Sequence, residues 1–278
     1  MAHTKNKCFI LNNKYQSRTC TGHVDIYEGG PDLKPLDRVF ACLFACSGLP
    51  LAALAQGNAA PPPPPRVPDT MEARVAACTG CHGAAGRGVE NVYFPRLAGK
   101  PSGYLYNQLV AFRDGRRKYV PMNYLLAYLP DAYLRQMADW FAAQNPPPLV
   151  IAAPPLPAAL VVDGQRIATT GVPGRRIPAC TTCHGTDLAG REPGIPGLLG
   201  LRADYVSAQL GAWRYGVRTA LAPDCMQVVS SSLTEPEVAA VSAYLASLPV
   251  SKARPAKTGP AKLPLPCGSQ AHSTGGQP

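Results

Sequence analysis

Cys78-Thr79-Gly80-Cys81-His82-Gly83 and Cys180-Thr181-Thr182-Cys183-His184-Gly185 are two copies of one hexapeptide, Cys-Thr-x-Cys-His-Gly, in a chain of 278 residues. On a helical turn, cysteines at i and i+3 and a histidine at i+4 face the same side. Two thiols can then bond the two vinyl groups of one porphyrin while the imidazole reaches its iron, so C-x-x-C-H marks the attachment of a c-type haem. Two copies predict two haem c groups. Cys78, Cys81, Cys180 and Cys183 would hold them covalently, with His82 and His184 as axial ligands to the iron.

The duplication extends beyond the hexapeptide. Phe94-Pro95-Arg96-Leu97-Ala98-Gly99 matches Ile195-Pro196-Gly197-Leu198-Leu199-Gly200, Tyr104 and Gln108 match Tyr205 and Gln209, and Phe112-Arg113-Asp114-Gly115 matches Trp213-Arg214-Tyr215-Gly216. A near-constant offset of this size means two tandem domains. Their expected bounds are 69–145 and 164–249, joined by a proline-rich linker over 146–163. The local signals are helical. Asp69-Thr70-Met71-Glu72 and Thr234-Glu235-Pro236-Glu237 resemble capping boxes. Ser102 is placed to cap a helix whose apolar residues Leu105, Leu109 and Phe112 recur at helical spacing, and the second copy opens near Asp204 with Val206, Leu210 and Trp213 on one face. Asp131 opens a last helix with Leu134, Met137, Ala138 and Phe141 on its inner face. No stretch argues for a strand, so the predicted fold class is all-α.

A haem held by histidine alone keeps an open coordination position, whereas His plus Met gives a six-coordinate electron carrier. Met122 and Met226 follow His82 and His184 at nearly equal distances, both between the Arg-x-Gly element and the last helix of their repeat. They are the expected second axial ligands. Met137 belongs to an apolar stripe and Met71 to a helix start, so both read as packing residues.

Outside the repeats, Val39 to Ala55 is the one strongly apolar run. It follows Lys34 and Arg38, is broken by Gly48 and Pro50, and ends in Ala53-Leu54-Ala55, the pattern of a secretory signal peptide ending near Ala55. The leader is therefore residues 1–55, and the polar stretch before Lys34 suggests that translation starts downstream of Met1. Residues 56–68, with Pro61–Pro65, read as a spacer, and 250–278 as a disordered tail. Export would put the chain in the periplasm. The net charge is +10, of which the leader, with six Lys/Arg and four Asp/Glu, carries +2. No nucleic-acid motif accompanies it, so it points to solubility and steering toward acidic partners. Of ten cysteines, only Cys225 and Cys267 lie outside both the leader and the haem motifs. A disulfide and two free thiols are both open for them.

The paired motifs, the F/I-P-x-L-x-G segments, the Tyr-x-x-x-Gln helices and the late methionines resemble dihaem cytochromes of the cytochrome c4 type over residues 69–249. The resemblance implies two class I cytochrome c domains, each wrapping one covalently bound haem. It also implies a non-enzymatic carrier of single electrons toward a terminal oxidase, fed by a bc-type complex or a dehydrogenase, with peripheral membrane association as an option. Further, it implies that Pro95 and Pro196 mark the loops whose backbone carbonyl fixes the tautomer of each haem histidine, and that Arg113 and Arg214 pair with haem propionates. Three other readings compete: an electron-transfer subunit of a periplasmic dehydrogenase, a dihaem peroxidase, and a zinc or dithiol use of the C-x-x-C pairs.

Overall fold

Apolar spacing underlies the longer helices, and side-chain caps fix three helix starts, at Thr70, Asp224 and Thr234. The computed structural model describes residues 66, 68–91, 93–149, 155–249 and 263–270; the leader and nearly all of the spacer lie outside them. The first repeat contains α1 (Met71–Arg74), α2 (Ala76–His82), α3 (Ser102–Arg113), α4 (Val120–Leu126) and α5 (Asp131–Ala143). The second contains α6 (Ala158–Thr170), α7 (Cys180–His184), α8 (Ala203–Arg214), α9 (Cys225–Ser232) and α10 (Glu235–Ser247). Both repeats belong to one compact unit.

Each repeat closes its core by laying its last helix across earlier ones. α5 packs on α1 and α3, and α10 on α6 and α8. Leu105, Phe112, Leu126, Leu134 and Phe141 form the first core; Ile167, Val206, Leu210, Leu233, Val241 and Leu245 form the second. Met137 is buried in the first, the packing role expected of it. Gly164 lets α6 touch α10, since a Cβ there would lie 2.0 Å from the Ala240 carbonyl oxygen.

Four expectations are corrected. Residues 158–163, assigned to the linker, are the opening turns of α6, because Leu160, Gly164, Ile167 and Ala168 line up on the face that meets α10. Residues 263–270, assigned to the disordered tail, are fixed against the second repeat, where Cys267 is buried and bonded to Cys225. Strand structure is present in miniature: Gly190–Arg191 pairs antiparallel with Ile195–Pro196. Finally, Ser102 is the first residue of α3 rather than its cap, and its hydroxyl donates to Asp139 on α5.

The capping boxes fare unevenly. Thr70 accepts from the Ala73 amide, but Asp69 turns to Arg74 instead of completing the box. At α10 both halves are made: Thr234 Oγ1 accepts from the Glu237 amide at 3.4 Å, and Glu237 accepts from the Thr234 amide at 2.8 Å. Burial pushes the Glu237 carboxyl up, but Arg175 and the Thr234 groups outweigh it and hold the pKa below its ordinary 4.5. The stabilisation is therefore complete above pH 4.5 and fades as pH falls through the lowered value. Glu237→Gln keeps the capping acceptor but loses the charge beside Arg175 and the helix N-terminus, and is expected to cost about 0.3–1 kcal/mol at neutral pH and nothing in strong acid. Chemical denaturation at the two pH values checks this.

Candidate functional site

Each haem motif occupies a helix that ends at its histidine. Gly83 and Gly185 then turn the chain with φ of +74° and +91°. At Gly83 a Cβ would stand 2.4 Å from the Gly88 carbonyl oxygen, so the glycine after the histidine is a steric requirement. His82 and His184 are both buried. His82 Nδ1 lies 2.9 Å from the Pro95 carbonyl oxygen, and His184 Nδ1 lies 2.7 Å from that of Pro196. A carbonyl can only accept, so each Nδ1 carries the proton and each Nε2 keeps a lone pair free for a metal. Burial lowers both imidazole pKa values against the opposing pull of the proline carbonyls, which keeps the rings neutral.

None of the four motif cysteines is in a disulfide. Burial pushes the Cys180 thiol up to about 11 and raises Cys78 and Cys183 as well. A redox dithiol needs the opposite shift.

In the second repeat, Cys180, Cys183, His184 and Met226 line one cleft of about 920 Å³, a volume that includes space open to solvent. Its walls are the apolar side chains of the second core. A few polar groups converge on it: Lys100, Tyr104, Arg218 and Trp213. The Trp213 indole N–H is buried without a partner among the described residues. An apolar slot with thiols and an imidazole on its wall, cations at its edge and an orphaned donor suits a porphyrin bearing carboxylates. In the first repeat, Cys78 and Met122 pack against the same core cluster, and the His82 ring stands 6.2 Å edge-on from Phe94. Thus α7 and α9 bring the predicted ligands of the second site together. α2 and α4 carry those of the first.

The arginines expected to pair with propionates have protein acceptors in the structure. Arg113 donates to Asp131 and, at 3.1 Å, to the Leu129 carbonyl, while Arg214 donates to the Leu233 carbonyl. Both tie the long helix of their repeat to the turn before its last helix. The residues that sequence reasoning missed are Arg117 and Arg218, which sit where the two repeats meet. Arg117 donates to Gln108 Oε1 at 3.0 Å and Gln209 Oε1 at 2.9 Å, and Arg218 donates to the same two oxygens at 2.7 Å each. Arg117 also reaches Tyr205 (3.4 Å), and Arg218 reaches Tyr104 (3.2 Å). Arg117 stacks on Phe112 and Arg218 on Trp213, so every member has its repeat-matched twin. Backbone bonds from Lys118 to Val217 (2.9 Å) and from Thr219 to Arg116 (2.7 Å) complete the seam. Burial would raise the Tyr104 phenol, but Arg218, Arg117 and Lys100 bring its pKa down to about 8. The seam is strongly cationic.

The cytochrome c family model matches residues 73–137. The chain is 34% identical over 228 residues to the thiosulfate dehydrogenase electron acceptor of Thiomonas intermedia (strain K12), spanning 82% of this chain and 97% of that one. It also matches the crystal structure of reduced recombinant cytochrome c4 from Pseudomonas stutzeri with a TM-score of 0.55 and 32% identity, over 64% of this chain and 96% of that one. The chain belongs to the cytochrome c family. It is a dihaem cytochrome c of the c4 kind, carrying two haem c groups and acting as an electron carrier. The solved thiosulfate dehydrogenase (TsdBA) from Marichromatium purpuratum gives a TM-score of 0.56 at 32% identity; this cytochrome covers 37% of that chain, and the match takes in 63% of its own.

Proposed function

We propose that this cytochrome takes electrons from a periplasmic dehydrogenase that oxidises a reduced sulfur compound such as thiosulfate, and passes them singly to a respiratory acceptor such as a terminal oxidase. The observation that carries this reading is the similarity to a thiosulfate dehydrogenase electron acceptor along nearly that protein's whole length. The dehydrogenase reading thereby takes precedence over a free-standing shuttle to the oxidase.

In this proposal Cys78, Cys81, Cys180 and Cys183 form the thioether links, His82 and His184 bind iron on one side, and Met122 and Met226 on the other. When bound, haem supplies a one-electron couple whose potential depends on axial ligands and surroundings. The chain's own residues do the rest. Pro95 and Pro196 fix the imidazole tautomer. The apolar core residues keep water from the porphyrin faces, and the cationic seam offers charge to the haem carboxylates. Localisation follows from the leader reading: export to the periplasm on a signal peptide ending near Ala55.

The test is direct. Mixed with catalytic amounts of a thiosulfate dehydrogenase and excess thiosulfate, the oxidised protein is expected to become fully reduced at both haems. Without the dehydrogenase, thiosulfate should leave it oxidised. Reduction no faster than that of an unrelated monohaem cytochrome c would overturn the dehydrogenase assignment.

A further inference from the structure

The two methionine-bearing helices, α4 and α9, are anchored at their first turns by different means. In the first repeat the residue after Met122 is the anchor. Asn123 donates to the Phe112 carbonyl and, at 2.9 Å, to the Arg117 carbonyl, while its Oδ1 accepts from the Tyr119 amide at 2.8 Å. All three bonds are non-covalent and stay within the repeat.

In the second repeat the residue before Met226 is the anchor. Cys225 is bonded to Cys267, 42 residues further along the chain, and Cys267 is only 6% exposed. The segment around Cys267 is seated against the turn that leads into α9. The Gly268 amide donates to the Pro223 carbonyl at 2.9 Å, and a Cβ on Gly268 would lie 2.1 Å from the Ala222 carbonyl oxygen. Beyond it, Ser269 offers its carbonyl to Asn107 Nδ2 at 3.0 Å, a contact with α3 of the first repeat. Gln270 packs over Gly194, beside the miniature hairpin that leads to Pro196. Asp224 adds a cap, accepting from the Gln227 amide at 3.1 Å and the Ala220 amide at 2.6 Å.

We propose that residues 263–270 form a covalent strap, closed by the Cys225–Cys267 disulfide, that positions Met226 over the second cleft and ties its turn to the first repeat. Resting on the ligand assignment above, the proposal makes the persistence of the methionine bond at the second haem depend on the disulfide and leaves the first haem independent of it. The physical reason is local opening. A ligand leaves when its turn opens, and a crosslink at the adjoining residue restricts the open ensemble far more than the closed one. Met226 is the residue next to the bridge, so its side chain has one backbone step in which to swing away. Met122 has no such bridge, and the three bonds of Asn123 take its place.

The experiment uses the full chain with both haems and the double variant Cys225→Ala, Cys267→Ala, which avoids leaving a stray thiol beside the iron. Exogenous imidazole competes with methionine, and its binding to the oxidised protein is read by loss of the sulfur-to-iron charge-transfer band. The wild type should bind imidazole slowly at both haems. In the double variant one haem should accelerate by at least about tenfold, a part of what such a crosslink contributes, and the other should not change. Asn107→Ala, which leaves the disulfide intact, should give a smaller acceleration at the same haem. Asn123→Ala should accelerate the other one. Met226→Ala decides which haem is which and tests the ligand assignment separately: if the charge-transfer bands of both haems survive it, that assignment fails. If Met226→Ala removes one band but the double variant binds imidazole at wild-type rates, the strap proposal fails. Should the double variant load poorly with haem, Asn107→Ala carries the test, and a wild-type rate there counts against the strap.

Discussion

A chain carrying Cys180→Ala together with Cys183→Ala is expected to emerge with one haem instead of two and with its second repeat unfolded. The side chains that would cover the porphyrin in that repeat are the core itself: Val206, Leu210, Leu233, Val241 and Leu245 all line the cleft. Each contributes about 1.5–3 kcal/mol when fully buried. A domain of ordinary stability has only about 5–15 kcal/mol in total. Without the porphyrin packed against them, these five side chains lose part of that contribution together, and a loss of several kcal/mol is most of such a margin. Intact mass should fall by one haem, and helical circular dichroism should drop by a share matching α6 to α10. The mirror variant, Cys78→Ala with Cys81→Ala, should spare α6 to α10. A chain that keeps two covalent haems, or keeps full helicity with one, would contradict the assignment of these cysteines.

The elements that depend on local spacing were legible in the sequence, and those that depend on where two distant segments meet were not. The motif helices, the capping box at Thr234 and the apolar stripes are all set within a few residues, so periodicity and capping chemistry suffice. The proline carbonyls illustrate a middle case. Pro95 and Pro196 are 13 and 12 residues from their histidines, and only the family resemblance pointed to them. The seam shows the opposite limit. Tyr104, Gln108, Tyr205 and Gln209 stood out as matched repeat positions, which was the available signal. Nothing in their spacing said that all four converge on Arg117 and Arg218. Such convergence comes from docking one repeat on the other about a near-twofold relation, and each arginine serves both glutamines only once that docking exists.

The disulfide and the protein partners of Arg113 and Arg214 were not legible for related reasons. Cys267 lies in a stretch rich in Lys, Pro, Gly and Ser, a composition that argues against order. Order there is imposed by a single covalent bond and the close fit of Gly268. Arg113 and Arg214 sit one position after Phe112 and Trp213, the aromatic residues on which Arg117 and Arg218 stack. A repeat-matched arginine near a haem motif invites the propionate reading. In the structure the carbonyls of Leu129 and Leu233, in the turns before α5 and α10, accept from them. The cations that do reach the second cleft, Lys100 and Arg218, come from both repeats, so the second site is incomplete without the first.

Met226→Ala and Met122→Ala should each change one haem and leave its neighbour alone. A thioether is a soft, weakly basic ligand, and pairing it with histidine raises the potential of the iron relative to other axial sets. Its loss opens a coordination position to water and lowers the potential of that haem by a sizeable part of the roughly 0.8 V that axial ligands span. Spectroelectrochemical titration should then show one wave displaced and the other in place, with the charge-transfer band halved. Met137→Leu and Met71→Leu are the controls. Met137 is 5% exposed within the first core, and Met71 packs on its edge. Both should leave the two waves unmoved, with only a small loss of stability for volume-conserving swaps. The two wild-type waves should themselves differ, because the surroundings are not symmetric: Trp213 stands where the first repeat has Phe112, and Lys100 has Leu201 as its counterpart. A tenfold difference in electron sharing corresponds to about 59 mV for a one-electron couple. Asymmetry on that scale is enough to give electron flow between the pair a direction. If Met122→Ala and Met226→Ala displaced the same wave, one of the two ligand assignments would have to be withdrawn, and the carrier would contain a haem open to exogenous ligands.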